Sequence, residues 1–389
     1  MGGKVPFWKR KIQLAPTQII ALVFVAIILI GTLLLSLPAA SRDGVSPGFL
    51  PALFTATSAT CVTGLVMFDT WTQWSGLGQT VIITLIEIGG LGFMSAASFV
   101  IFILRKRVGL KQRMVMAQAL SVNDMASVVR LQKIVLTGSL LVQLTGALIL
   151  IAHFWPQHGP VQAIKWGFFH AISAFCNAGF DIFGCMKAGS SLTLFQSDPV
   201  VLLTLGALVA IGGLGFFVWE EVIRIHNWKR FSVYTKLVLL MSGILTLGGM
   251  IGFCLLEWNN PNTMGVMPWY DKLLGGLFQS VTVRTAGFDG LGQGELTDGG
   301  KAFSMMLMLI GGSSGSTAGG VKTVTMMVLL LFLWSRIRGK GSVCVFKHSV
   351  PDHQVLDAMT IVSIVVGLAV FGGLFISATS PHQLYGRIV

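Results

Sequence analysis

The chain has 389 residues, of which 53% are hydrophobic and only 11% charged, with a mean hydropathy of +0.78. That balance excludes an ordinary water-soluble domain, which carries about 25% charged residues. The net charge of +12 does not point to nucleic acid either, because nineteen of the 27 Lys and Arg fall in four clusters separated by acidic stretches: Lys4 to Lys11, Arg105 to Lys133, Arg224 to Lys236 and Arg336 to Lys347.

By the positive-inside rule these clusters and the amino terminus are cytoplasmic, and the acidic stretches face outward. After the basic leader, Ile19 to Leu35 approaches the ~20 apolar residues that a spanning helix needs. It reads as a retained first membrane helix, since Ala39-Ala40-Ser41 is a weak cleavage motif. Next, Gly48 to Ala59 forms an amphipathic helix of about 18 Å, enough to cross half a bilayer. It leads into Ser58-Ala-Thr-Cys-Val-Thr-Gly-Leu65, and then into an apolar helix carrying Glu87-Ile-Gly-Gly-Leu-Gly-Phe93.

The same order recurs. The second copy holds Ile134 to Ile151, Val161 to Ala174, Ser173-Ala-Phe-Cys-Asn-Ala-Gly-Phe180, and Val200 to Ile211 running into Ala210-Ile-Gly-Gly-Leu-Gly-Phe216. The third holds Leu237 to Cys254, Pro268 to Ser280, Val281-Thr-Val-Arg-Thr-Ala-Gly-Phe288 and Leu309-Ile-Gly-Gly-Ser-Ser-Gly315. Each copy is a membrane helix, a pore loop and a second membrane helix, so both of its ends return to one side, in agreement with the basic clusters. A fourth outer helix lies near Leu356 to Ala378, and its glycine would fall near position 405, past Val389. The expected fold is an all-α membrane protein with a pseudo-fourfold repeat whose fourth unit is incomplete. Its units are residues 1–110, 111–230, 231–345 and 346–389, the last an outer helix only.

Three equivalent turns at the ends of half-helices suit a cation. The carboxyl end of a helix carries about half a negative charge, and glycine permits the reversal that turns carbonyl oxygens toward a shared axis. Rings of carbonyls can replace the hydration shell of potassium. The candidate filter residues are Thr60, Cys61, Val62, Thr63 and Gly64 in the first turn, Cys176, Asn177, Ala178 and Gly179 in the second, and Arg284, Thr285, Ala286 and Gly287 in the third. Gly89, Gly90 and Gly92, with Gly212, Gly213 and Gly215, read chiefly as contacts for close helix packing.

Cys61-Val-Thr-Gly-Leu65, Cys176-Asn-Ala-Gly-Phe180 and Arg284-Thr-Ala-Gly-Phe288 occur in the order of the first three filters of the Ktr-type membrane subunits (KtrB) of the Trk/Ktr/HKT superfamily, which this chain resembles over nearly its whole length. The resemblance implies potassium uptake across a bacterial plasma membrane, with K+ as substrate, Na+ as a possible coupling or stimulating ion and no covalently bound cofactor. It implies a homodimer in the lipid bilayer with a cytoplasmic ring of nucleotide-binding regulatory subunits. It also assigns a gate to the loop that interrupts the third inner helix: Gly311, Gly312, Ser313, Ser314, Gly315, Ser316, Thr317, Ala318, Gly319, Gly320, Val321, Lys322 and Thr323. A stretch this rich in Gly, Ser and Thr cannot stay a rigid helix.

Other readings are weaker. Gly312-Ser-Ser-Gly315 would suit an intramembrane serine protease only with a histidine beside Ser314, and His153, His158 and His170 are expected outside while His226, His348 and His353 lie near the inner face. A broken-helix transporter of an organic solute and a nonconducting fragment are the alternatives to potassium uptake. Lys322 either stands near the ion path or snorkels to the interface. Arg284 is expected to brace the third turn by pairing with an acid or with carbonyls, and Glu87 to be paired. The five cysteines show no metal-ligand spacing and are expected to be reduced. Gly290-Leu-Gly-Gln-Gly294 follows no strand and gives no nucleotide-binding signature.

Overall fold

The computed structural model describes residues 16–92, 128–339, 344–346 and 348–379. The basic leader, Phe93, most of the Arg105 to Lys133 cluster, the unit boundary at residue 110, Lys340, Lys347 and the segment from Leu384 to Val389 lie outside the described residues.

The first unit consists of α1 (Pro16–Leu35), α2 (Phe49–Cys61), the short α3 (Thr70–Gln73) and α4 (Gly76–Gly90). Asp69 starts α3 by accepting the N–H groups of Trp71 and Thr72, and Ser75 caps α4. In the second unit, α5 (Val128–Phe175) reverses at Gly159, so its two limbs, residues 128–158 and 160–175, are the outer helix and the half-helix. Pro160 opens the second limb, where a missing N–H costs nothing. The inner helix follows as α6 (Pro199–Leu214) and α7 (Phe216–Ile225), bent by 95° at Gly215.

In the third unit the elements are α8 (Val233–Glu257), α9 (Trp269–Thr285), α10 (Asp298–Met308) and α11 (Thr323–Ile337). A two-residue hairpin, β1 (Cys344–Val345) with β2 (His348–Ser349), leads to α12 (Asp352–Thr379). Among the described residues, four helices are long and apolar enough to cross a membrane, and the bent α6–α7 pair makes a fifth if it is one span.

The largest fully buried side chains include Trp74, Trp166, Phe154, Phe175, Phe180 and Phe183. Many aliphatic residues on α1, α8 and α12 are instead exposed, as a face turned to hydrocarbon requires. Two buried polar residues hold the chain that leaves the turns. His170 donates from Nδ1 to the Trp166 carbonyl and accepts the Ile182 N–H on Nε2, stacked 3.9 Å from Phe183. Glu257 is fully buried and accepts from Asn260, Thr263 and the backbone and hydroxyl of Thr297, which ties α8 to the start of α10.

Two expectations change here. The inner helix of the second unit is broken at Gly215, a residue the sequence suggested chiefly as a contact for close helix packing. At φ 92 and ψ 141 this residue occupies backbone space closed to side-chain-bearing residues, and its position backs onto the Ser314 carbonyl. The half-helices also run past their expected ends, to Cys61 and Thr285. Thr60, Cys61, Arg284 and Thr285 are therefore helical, because the final turn still finds intrahelical acceptors.

Candidate ion-handling site

The three half-helices end side by side. Gly64, Gly179 and Gly287 have φ of 77°, 69° and 85°, the left-handed geometry that the reversal demands. A methyl group at Gly64 would stand 2.7 Å from the Ala178 carbonyl oxygen and 3.7 Å from that of Ala286, and one at Gly179 would overlap the Ala286 carbonyl. Consecutive turns thus touch through main chain, with no side chain between them.

The turns are not identical. Val62 and Asn177 both have positive φ, 55° and 61°, and the residues after them donate back five positions, Thr63 to Ser58 and Ala178 to Ser173. In the third turn both Ala286 and Gly287 donate to the Thr282 carbonyl, so the helix continues one step further. Ser173 and Thr282 clamp the exits by donating to the carbonyls of Phe180 and Phe288, at 2.7 and 2.9 Å.

Directly behind the turns lies the loop between α10 and α11. It is a closed hairpin: Gly311 donates to Val321 and Gly312 to Gly319. It docks on the bent inner helix of the second unit, where Ser313 and Thr317 donate to the carbonyls of Gly213 and Gly212, and Phe216 donates to Gly315. Tyr234 of α8 donates to the Ser314 carbonyl at 3.0 Å. Thr317 reaches the second turn itself, donating to the Phe175 carbonyl.

The family model described as TrkH, cation transport protein, matches residues 5–381. This chain belongs to the TrkH family of cation transport proteins. It is 40% identical to Ktr system potassium uptake protein B of Bacillus subtilis, over 99% of this chain and 84% of that one. It is 38% identical to the potassium/sodium uptake protein NtpJ of Enterococcus hirae, over 94% of this chain and 80% of that one. In three dimensions it is similar to the potassium transporter TrkH from Vibrio parahaemolyticus, with a TM-score of 0.67 at 18% identity, covering 95% of this chain and 74% of that chain. The Ktr-type resemblance therefore stands, and the helical membrane fold expected from the sequence stands with one added feature, the short β1–β2 hairpin.

Within this TrkH-family framework the remaining candidates find their places. Glu87 is paired as expected: Gln143 donates to both carboxylate oxygens, and the Cys176 thiol lies 3.4 Å from one of them. The Lys322 ammonium donates to the Ala318 carbonyl at 2.8 Å within its own loop. Arg284 departs from expectation. No acid or carbonyl among the described residues pairs with it, and its Nε is buried without a partner. The reason is the extension of α9 to Thr285, which puts Arg284 in the last helical turn, where the helix dipole favours a cation. The Ser314 hydroxyl has no histidine partner among the described residues. Cys61, Cys176, Cys185 and Cys254 are free thiols.

Sequence reasoning missed the side-chain bridge at Asn177. Its amide donates to Thr317 at 2.8 Å and its oxygen accepts from Thr285 at 2.7 Å. The only signal was the asparagine itself, a residue that tolerates positive φ and carries both a donor and an acceptor.

Proposed function

We propose that this chain is the membrane subunit of a potassium uptake system, carrying K+ inward across a bacterial plasma membrane. The observation that carries this reading is the direct contact of three glycine turns through main-chain atoms. Carbonyls of residues 60–64, 176–179 and 284–287 dehydrate the ion, and the carboxyl ends of three half-helices stabilise its charge. The loop of residues 311–323 is the gate, because it sits behind the turns and is held by bonds to other elements. Repeat units of residues 1–110, 111–230, 231–345 and 346–389 surround this path, with the amino terminus cytoplasmic.

Relatives named as potassium uptake proteins B of the Ktr system support K+ as the substrate, and the one named for potassium and sodium supports Na+ as a second ion. A homodimer, docked through cytoplasmic basic clusters on a ring of nucleotide-binding subunits, completes the system. Expression in a bacterial host lacking its own potassium uptake tests the reading. Growth on limiting K+ is expected to be restored, and growth restored only by an organic solute would replace this function with solute transport.

A further inference from the structure

Thr317 lies 140 residues from Asn177 in sequence, yet the two side chains meet in a hydrogen bond of 2.8 Å. The single hydroxyl proton of Thr317 is given to the Phe175 carbonyl at 2.9 Å, and its N–H to the Gly212 carbonyl at 3.2 Å. On the far side, the Asn177 oxygen accepts the Thr285 hydroxyl at 2.7 Å. Asn177 is 1% exposed and Thr317 9%. The gate loop, the second turn and the end of the third half-helix are thus joined in one chain of hydrogen bonds, buried at Thr317 and Asn177 and part-buried at Thr285. Lifting the loop from its seat removes the shortest bond of the Asn177 amide, which keeps only longer contacts to the Phe175 and Val209 carbonyls at 3.3 and 3.5 Å, and takes the Thr317 hydroxyl from the Phe175 carbonyl, a loss that buried polar groups resist. The space is also too tight for sliding, since a methyl group at Gly212 would overlap the Phe175 carbonyl and stand 2.9 Å from the Thr317 hydroxyl.

We propose that Thr317 is a positioning residue for the ion-binding turns: the loop in its closed seat fixes the geometry of Asn177 and Thr285, so ion affinity and loop position are linked. This inference rests on reading the turns as the ion site. Linkage is reciprocal, so a bound ion favours the seated loop by the same factor by which the seated loop sharpens binding. Opening then does two things in one motion. It clears the path and weakens the hold on the ion that is about to leave.

The test is K+ uptake by the full chain in the uptake-deficient host, comparing Thr317→Val with Thr317→Ser. Thr317→Val is expected to raise the KM for K+ by about tenfold, the factor that one buried hydrogen bond supplies, and to lower the preference for K+ over Na+. Thr317→Ser, which keeps the hydroxyl, is expected to restore both. Thr285→Val cuts the same chain at its other end and is expected to shift KM in the same direction. If Thr317→Val does not accumulate in the membrane, Thr285→Val decides by the same readout. A change in maximal rate alone, with KM and ion preference untouched, overturns the proposal and leaves the loop a simple obstruction. Failure of the underlying site reading has a separate signature: Gly64→Ser would then leave the KM for K+ unchanged, whatever Thr317 does.

Discussion

The paired glycines of the inner helices occur three times in sequence, and the third pair has a different neighbour from the first two. A methyl group at Gly89 would overlap the Thr60 carbonyl, and one at Gly212 the Phe175 carbonyl, so in two units the pair admits the end of a half-helix. At Gly311 the overlapped atom is instead the Gly319 carbonyl of the same loop. One repeated motif backs the end of a half-helix twice and closes the hairpin of residues 311–323 once. The residues that follow explain the divergence. Leu91 and Leu214 are apolar residues that close α4 and α6, whereas Ser313 and Ser314 offer polar groups that can bond outside a helix.

Substitutions at these glycines should separate the two roles. Gly89→Ala is expected to have the largest effect, because the atom it meets is backbone and cannot swing aside. Overpacking of this kind costs about 1–3 kcal/mol, and the KM for K+ in uptake assays should rise by roughly tenfold or more. Gly311→Ala should act on the gate, raising K+ leak through proteoliposomes that lack any regulatory partner, with a smaller change in KM than Gly89→Ala produces. Equal KM shifts for the two would erase the distinction. Tyr234→Phe removes one hydrogen bond from the loop at Ser314, worth about 1 kcal/mol, and should raise leak by about fivefold at most.

The smallest effect concerns the loop after the second turn. Burial lifts the Asp181 carboxyl to about 6, and the nearby charges of Asp69 and Asp289 add to the lift. A carboxyl raised above its ordinary value binds a proton in the folded protein that the unfolded chain has already released. Its stability contribution therefore falls as pH rises from about 4 to 6. Asp181→Asn should flatten the pH dependence of Tm across that window, and an unchanged slope would remove Asp181 from the cause.

Much of this was legible in sequence because it depends on local chemistry. The glycine turns, the half-helices and the interrupted third inner helix follow from positions where only Gly, or a run of Gly, Ser and Thr, fits. The break at Gly215 was not legible, since Ala210 to Phe216 reads as uninterrupted apolar helix and the cause is the loop packed against it. The extension of α9 through Val281, Thr282 and Val283 was hidden as well. β-branched residues disfavour helix intrinsically, and tertiary packing overrides that preference here. The Asn177 bridge needs partners 108 and 140 residues away, which no local pattern announces.

The most direct test of the central claim is an experimental density map of the protein in Rb+, an anomalous scatterer that replaces K+. A peak is expected among the main-chain oxygens of the three turns, between Gly64, Gly179 and Gly287. Rb+ bound only elsewhere in the membrane region, with those turns empty at saturating concentration, would contradict it.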